Sequence, residues 1–416
     1  MVKVESKNDS KDVIIVDSLM GSGKTTWAKK KLIEKQSDKN FLYITPYLDD
    51  IDAITKNNHN HENLKRDMVQ PKPMGKSKLD NIVDLLNAQF DIASTHELFR
   101  RFDDRCKEAL KNNKYTLILD ESLTAVEPYK FSGKEDFEYL IGNKDIVVDN
   151  NGVINWIGSE LNTRFDDVRI LAKNKCLFQI DNKFYLWHFP HEIFSLFDEV
   201  YILTYMFEGS LMKYYFDLYK IGYVQKSINY AEGRYQLVDY YNPDKTNIKG
   251  RINIYNGCMN FDDYKPTAFS STWFKSSYNK PKLQQLKNNF HNYSQNIVGA
   301  KGNDIMWTCY KNVKSDLKSK GYTKGYVSCN CRGTNDYQDR TCLMYGCNWY
   351  ENPEIMKFFS QRGININQDK IALSTLLQWI WRSNIRVRNS NKKINIYIPS
   401  KRMRHLLSEW LTDTAV

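Results

Sequence analysis

Ser18-Leu19-Met20-Gly21-Ser22-Gly23-Lys24-Thr25-Thr26 lies between an apolar run, Val13-Ile14-Ile15-Val16, and a stretch of helical character, Trp27-Ala28-Lys29-Lys30-Lys31-Leu32-Ile33. A strand, a glycine-bearing loop and a helix start, in that order, form the setting of a phosphate-binding P-loop. Gly21 and Gly23 free the backbone to turn its N–H groups around an anion. Gly21, Ser22, Gly23, Lys24, Thr25 and Thr26 are therefore the expected nucleotide contacts. Lys24 is expected to reach the β and γ phosphates, the Thr25 hydroxyl to ligate Mg²⁺, and the helix N-terminus to add positive dipole. The usual first glycine of such a loop is replaced by Ser18.

The surrounding chain is globular in composition. Of its 416 residues 41% are hydrophobic, enough for two ordinary domains with cores of their own. No apolar run approaches the roughly 18 residues of a membrane span. The polar stretch Met1 to Asp12 is unlike a signal peptide. The expectation is a cytoplasmic protein with no membrane partner. The net charge of +11 favours a polyanionic partner. From Arg382 to Arg404 there are eight Lys or Arg and no Asp or Glu, with Trp379, Trp381 and Tyr397 nearby. The eight cysteines are irregularly spaced and read as free thiols. Cys329-x-Cys331 and Cys342-x₄-Cys347 match no zinc pattern well.

Alternating apolar runs and helical stretches predict an α/β fold with parallel sheets in both halves. Strands are expected at Asn40–Pro46, Asp91–His96, Tyr115–Glu121 and Glu199–Thr204, the last closing the first half. Cys176–Trp187 reads as a β-hairpin within an insertion of about 129–190. A second set of strands is expected near Ile252–Tyr255, Ala268–Ser271, Ile305–Thr308, Gly325–Cys329 and Ile394–Ile398. The predicted division is a tail over 1–12, a first domain over 13–230 and a second over 231–416.

Leu117-Ile118-Leu119-Asp120-Glu121-Ser122 ends a buried-strand pattern on two carboxylates. Nucleotide hydrolysis needs one at the metal, assigned to Asp120, and one to polarise the attacking water, assigned to Glu121. Hydrolysis also builds charge on the γ-phosphoryl oxygens, which arginine answers. Ala372 to Arg386 contains Gln378, Arg382 and Arg386 at helical i, i+4, i+8 spacing, which is expected to put all three on one helix face. Arg382 and Arg386 are the arginine-finger candidates, with Gln378 near the γ-phosphate.

Taken in order, these pieces resemble the motif series of superfamily-2 DExx helicase-like ATPases, and the overall pattern is similar to compact helicase-like proteins of phages and prophages. The resemblance runs across nearly the whole chain. It implies two tandem RecA-like domains with ATP and Mg²⁺ in a cleft between them. Ser18 to Thr26 resembles motif I, and Asp120-Glu121-Ser122-Leu123 resembles motif II. Thr45-Pro46-Tyr47 and Thr95-His96 resemble motifs that hold a nucleic-acid backbone, and Leu203-Thr204-Tyr205 and Phe269-Ser270-Ser271-Thr272-Trp273 fall near the motif III and IV positions. Arg332-Gly333-Thr334-Asn335-Asp336 resembles motif V, which implies nucleotide contacts at Gly333 and Asn335 and a strand contact at Thr334. Gln378 to Arg386 resembles motif VI, departing from it at Trp381, where a glycine is usual, and in the four-residue step to Arg386. The function implied is a nucleic-acid-dependent ATPase, a helicase or translocase on single-stranded or forked nucleic acid, DNA favoured. The process implied is phage replication or recombination, with partner proteins from those processes.

Three other readings share the P-loop. A small-molecule kinase is usually smaller and would not need Arg382 in a second α/β domain. A terminase-type packaging motor needs a nuclease site of clustered carboxylates, for which Asp262, Asp263, Asp336 and Asp339 are available. A regulatory nucleic-acid-binding protein on a helicase scaffold needs no turnover at all.

Overall fold

The computed structural model describes residues 12–34, 39–55, 67–73, 75, 77–159, 164–262, 264–330, 336–387 and 389–413. They divide into two compact units. One takes in 12–17, 23–239 and 352–366, the other 18–22, 240–351 and 367–413.

The first unit is built on β1 (Val13–Asp17), β2 (Asn40–Thr45), β3 (Met68–Val69), β4 (Asp91–Thr95) and β5 (Tyr115–Asp120). Between them run α1 (Lys24–Glu34), α2 (Leu48–Thr55), α3 (Lys78–Asn87), α4 (His96–Phe99) and α5 (Asp104–Asn112). Strands β1, β2 and β5 are buried almost throughout, as strands covered on both faces must be. Next come β6 (Val126–Tyr129), β7 (Ile146–Val148), β8 (Ile154–Trp156), β9 (Leu177–Ile180) and β10 (Phe184–His188). Strands β6, β10 and β9 make a separate antiparallel sheet, and β7 pairs with β8. The expected hairpin forms as β9–β10, with Asp181 and Asn182 in the left-handed region at φ +51° and +55°. Helices α6 (Asp136–Gly142) and α7 (Asp166–Lys173) belong to this same stretch.

The main sheet then resumes with β11 (Glu199–Thr204), followed by α8 (Leu211–Tyr219), β12 (Tyr223–Ala231) and β13 (Arg234–Asp239). Its order is β13-β12-β1-β11-β5-β2-β4-β3, parallel except for the β12–β13 hairpin. Thr204 does not therefore close this half. Two further strands follow, turning at Glu232 and Gly233, both at positive φ. Their polar, tyrosine-rich sequence hides them, because the sheet's outer strands need not be apolar on both faces.

The second unit holds β14 (Ile252–Ile254), β15 (Ile305–Thr308), β16 (Cys342–Tyr345) and β17 (Ile394–Tyr397), parallel in the order β14-β17-β16-β15. Its helices are α9 (Thr246–Arg251), α10 (Ser271–Lys275), α11 (Lys280–Asn292), α12 (Lys314–Leu317), then α14 (Gln368–Ile380) and α15 (Lys401–Thr412). Helix α13 (Pro353–Ser360), between them in the chain, belongs to the first unit. Trp307, Phe290, Tyr322, Tyr397 and Phe269 dominate the core under β15 and β16.

Two expected strands are absent here. Ala268 and Ser270 donate their N–H groups into turns at Lys265 and Thr267, and Phe269 sits at φ +64°. Ser270 then caps α10. Near Gly325 the chain approaches β15 so closely that an added Cβ would stand 2.2 Å from the Ile305 carbonyl oxygen. It makes a 3₁₀ turn there, leaving one bridge, Trp307 to Tyr326, in place of a strand. The chain is thus an α/β protein of mostly parallel sheets.

Candidate active site

Parallel register sets the ends of the central strands side by side. Asp17 stands opposite Thr204, Leu203 opposite Asp120, and Thr45 opposite Thr95. Asp17, Thr204, Asp120, Thr45 and Thr95 thus line the carboxyl edge of the first sheet. That edge is where open parallel sheets bind ligands, because helix N-termini converge there.

After β1 the loop turns sharply. Ser22 N–H returns to the Leu19 carbonyl at 3.1 Å, and Gly21 and Gly23 sit at φ +78° and +99°. These are left-handed conformations that a side chain resists. Helix α1 then begins at Lys24, with Trp27 N–H bonded to the Gly23 carbonyl at 2.8 Å. At Gly23 space is short as well: a Cβ would stand 2.2 Å from the Tyr235 ring of β13.

Thr25, in the first turn of α1, and Asp120, at the end of β5, come together across 95 residues of chain. The Thr25 hydroxyl donates to the Asp120 carboxylate at 3.0 and 3.2 Å. The Tyr43 phenol, fully buried on β2, donates to the same carboxylate at 2.5 Å. Hydrogen bonds to a charged acceptor contribute about 1.5–3 kcal/mol each. They do not offset desolvation, so burial leaves the Asp120 carboxyl above the usual carboxylate range, and the Glu121 and Asp50 charges push the same way. Burial and the adjacent Asp120 likewise hold the Tyr43 phenol well above its usual range.

Glu121 follows at φ +70°, an uncommon conformation for a residue with a side chain, its N–H held by the Leu203 carbonyl at 3.0 Å. Backbone strain of this kind collects at functional sites. Asp17 is buried and accepts from the Met206 and Phe207 N–H groups at 2.9 and 2.8 Å. Burial raises its pKa, against those two donors and the charge of Lys24. Lys24, Thr25, Asp17, Asp120 and Glu121 therefore share one neighbourhood.

Tyr43, Asp17 and Asp50 escaped the sequence reading. The one available signal for Tyr43 was a phenol in an otherwise apolar strand, and Asp17 closed β1 just before the glycine loop. The residues assigned to a nucleic-acid backbone have internal duties. Thr45 is buried and donates to Asp50 at 3.2 Å, and Thr95 caps α4 by accepting from Leu98 N–H. Pro46, Tyr47 and His96 are half-buried beside them. Gly333, Thr334 and Asn335, and also Cys331, lie outside the described residues.

Gln378, Arg382 and Arg386 do not share a helix face, which corrects the spacing argument. Helix α14 ends at Ile380. Arg382 and Ser383 N–H groups tighten back to Trp379 and Ile380, and the Ser383 hydroxyl caps a new 3₁₀ turn, Asn384–Arg386. Serine and asparagine offer the backbone local partners that compete with a continuing helix. The new course is held by Arg251, buried on α9, which donates to the carbonyls of Asn384, Ile385 and Val387 at 2.7, 3.3 and 3.2 Å. Gln378 is half-buried, Arg382 buried and Arg386 half-buried.

The donor set fits a Mg²⁺–triphosphate. Mg²⁺ is commonly held by one carboxylate or hydroxyl pair with phosphates and water completing its octahedron. Thr25 and Asp120 form such a pair, and a cation would relieve the buried carboxylate. Among the described residues no three His, Cys, Asp or Glu side chains converge on a metal site of their own. Of the carboxylates a nuclease would need, Asp262 is engaged by Lys282 and Trp273, and Asp263 lies outside the described residues. No described helix is long and apolar enough to cross a membrane.

A YonV middle domain matches residues 126–187, and a YonV C-terminal Rossmann-like domain matches 246–411. Among solved structures, the DUF1998 helicase MrfA bound to DNA and AMPPNP is 11% identical, with 97% of this chain and 49% of that one covered and a TM-score of 0.38. The chain thus spans about half the length of that protein. The SPbeta prophage-derived protein YonV of Bacillus subtilis (strain 168) is 38% identical over 414 residues, covering 96% of this chain and 99% of the relative. With that identity sustained over almost the full length of both chains, the chain belongs to the YonV family.

Proposed function

We propose that the protein is an ATP hydrolase of the helicase type, working on single-stranded nucleic acid, with its two parallel sheets acting as RecA-like domains. The observation that carries the reading is the meeting of the Thr25 hydroxyl with the Asp120 carboxylate, with Glu121 adjacent in a strained conformation. In this reading the loop from Gly21 to Thr26 holds the phosphates. Lys24 neutralises the β and γ groups, and Thr25 and Asp120 hold Mg²⁺. Glu121 takes the proton of the water that attacks the γ-phosphorus, and ADP and phosphate leave. Gln378, Arg382 and Arg386 answer the charge that builds on the γ-phosphoryl oxygens.

The test is ATP hydrolysis by wild type, Lys24→Ala, Glu121→Gln and Arg386→Ala, with and without single-stranded DNA and RNA. Glu121→Gln should bind ATP and lose about 10²–10⁴-fold in turnover, the usual worth of a positioned base. Lys24→Ala should lose hydrolysis, and Arg386→Ala should bind ATP but turn over slowly. Full nucleic-acid-stimulated hydrolysis in Lys24→Ala would place the chemistry elsewhere. Hydrolysis indifferent to nucleic acid would favour a packaging-type motor.

A further inference from the structure

From Tyr264 to Asn303 the chain carries six lysines and no aspartate or glutamate. This acid-free stretch supplies α10, α11 and the turns around them. Two of its tyrosines, Tyr264 and Tyr278, are 74% exposed, the highest exposure among the large hydrophobic side chains of the described surface. Single exposed aromatic residues are ordinary on a protein surface, and it is their grouping that is informative. These two rings are grouped with cations. The Lys265 ammonium lies 5.4 Å from the Tyr264 ring centroid and 5.3 Å from that of Tyr278, and Lys282 lies 5.7 Å from Tyr278. The group is held in shape from below. Asp262, buried at φ +56°, accepts from Lys282 at 2.5 Å and from the Trp273 indole at 3.3 Å, tying the loop to α10 and α11.

We propose that Tyr264 and Tyr278, with Lys265 and Lys282, form a base-stacking platform on the second unit for single-stranded nucleic acid. Open tyrosine faces offer stacking that any base can use, and Lys265 meets a phosphate between bases, while Lys282, paired with Asp262, fixes the Tyr278 side of the platform. A duplex keeps its bases stacked on one another and has none to give. An acidic protein would satisfy the lysines too, but a single strand brings a flat base with every negative phosphate, the combination that two open rings beside lysines match. The grip so made differs in kind from the backbone contacts expected at Thr45, Thr95 and Thr334. The choice of partner rests on the nucleic-acid part of the reading above, and the platform itself on the geometry of these four residues.

The experiment is fluorescence anisotropy of a labelled oligo-dT, about 15 nucleotides long to match a typical site. The proteins are full-length wild type, Tyr264→Ala/Tyr278→Ala and Tyr264→Phe/Tyr278→Phe, each also assayed for ATP hydrolysis without nucleic acid. The double alanine variant should lose about tenfold or more in affinity, while the double phenylalanine variant keeps it, because stacking needs the ring and not the hydroxyl. Lys265→Glu should weaken binding and flatten its salt dependence. Hydrolysis without nucleic acid should be the same in all, the residues lying outside the proposed catalytic set. Affinity of the double alanine variant within about twofold of wild type overturns the platform, and would turn attention to a protein partner. The two readings fail separately. If Glu121→Gln hydrolyses ATP normally while the tyrosine pair still controls oligonucleotide affinity, the platform stands and the ATPase assignment falls.

Discussion

Asp120 shows what the site costs the fold. Its carboxyl is buried against Tyr43 and Thr25, and the missing hydration is only partly replaced. Folding therefore raises its pKa above the unfolded value near 3.8. The folded protein holds that proton more tightly than the unfolded chain does. At low pH the group costs nothing. As pH rises past the unfolded value and through the folded one, stability is lost, and above that the loss is constant. Asp120→Asn removes the charge while keeping an acceptor for both hydroxyls. It should raise the melting temperature of the nucleotide-free protein at neutral pH by about 2–4 °C, as a gain of about 1 kcal/mol would. It should change little at pH 3 and should abolish Mg²⁺-dependent hydrolysis. Equal melting curves for the two proteins at pH 7.5 would show that Tyr43 and Thr25 already compensate the burial in full.

Hairpin β12–β13 and the glycine loop are coupled elements. Tyr235 of β13 lies on Gly23 and pairs with Tyr230 at 4.9 Å between ring centroids, so the hairpin backs the turn of the proposed phosphate site. Gly23→Ala meets two obstacles, a backbone at φ +99° and the Tyr235 ring. It should lower affinity for a fluorescent ATP analogue by about tenfold or more, on the scale of 1–3 kcal/mol for such strain. Adding Tyr235→Ala should restore only part of it, since the ring is removed but the φ penalty stays. Full restoration would mean that the backbone there is relaxed. Helix α14 gives a second case: the spacing of Gln378, Arg382 and Arg386 is that of a helix, but the helix ends at Ile380, before Arg382, and Ser383 with Arg251 sets the new course.

The course of the chain between its two units has consequences for stability. Helix α13 comes late in the sequence yet completes the first unit. Phe358 meets the Phe178 ring edge-on at 5.3 Å, and Arg362 lies over both rings at 4.1 and 4.8 Å. Arg362 also donates to the Asn151 carbonyl at 2.9 Å, and Lys357 pairs with Asp181 at the β9–β10 turn. Phe358 is fully buried. Phe358→Ala should cost about 3–5 kcal/mol and lower the unfolding midpoint of the first unit by roughly 10 °C. Hydrogen exchange should locate the loosening in β9 and β10. Loosening confined to the neighbours of α13 in sequence would contradict this account.

Much of this molecule is legible without coordinates. Apolar runs of five or six residues predict the buried strands β1, β2, β5 and β11, because a parallel strand covered on both faces must be apolar nearly throughout. The glycine loop, Lys24, Thr25 and the pair Asp120-Glu121 follow from local motif chemistry, each within a few residues of a strand end. Local sequence does not carry long-range pairing. Nothing in Asn40–Thr45 says that the Tyr43 phenol closes on a carboxylate 77 residues away, or that Asp17 braces the turn after β11. Periodicity overstated α14, because Ser383 and a buried arginine 133 residues upstream redirect the chain there. It missed β12 and β13, whose polar faces are set by their place beyond β1 in the sheet. Patterns along the chain report which residues must be buried and which match a phosphate-binding motif. Which of them meet is decided by strand order and register, and those depend on packing across the whole sheet.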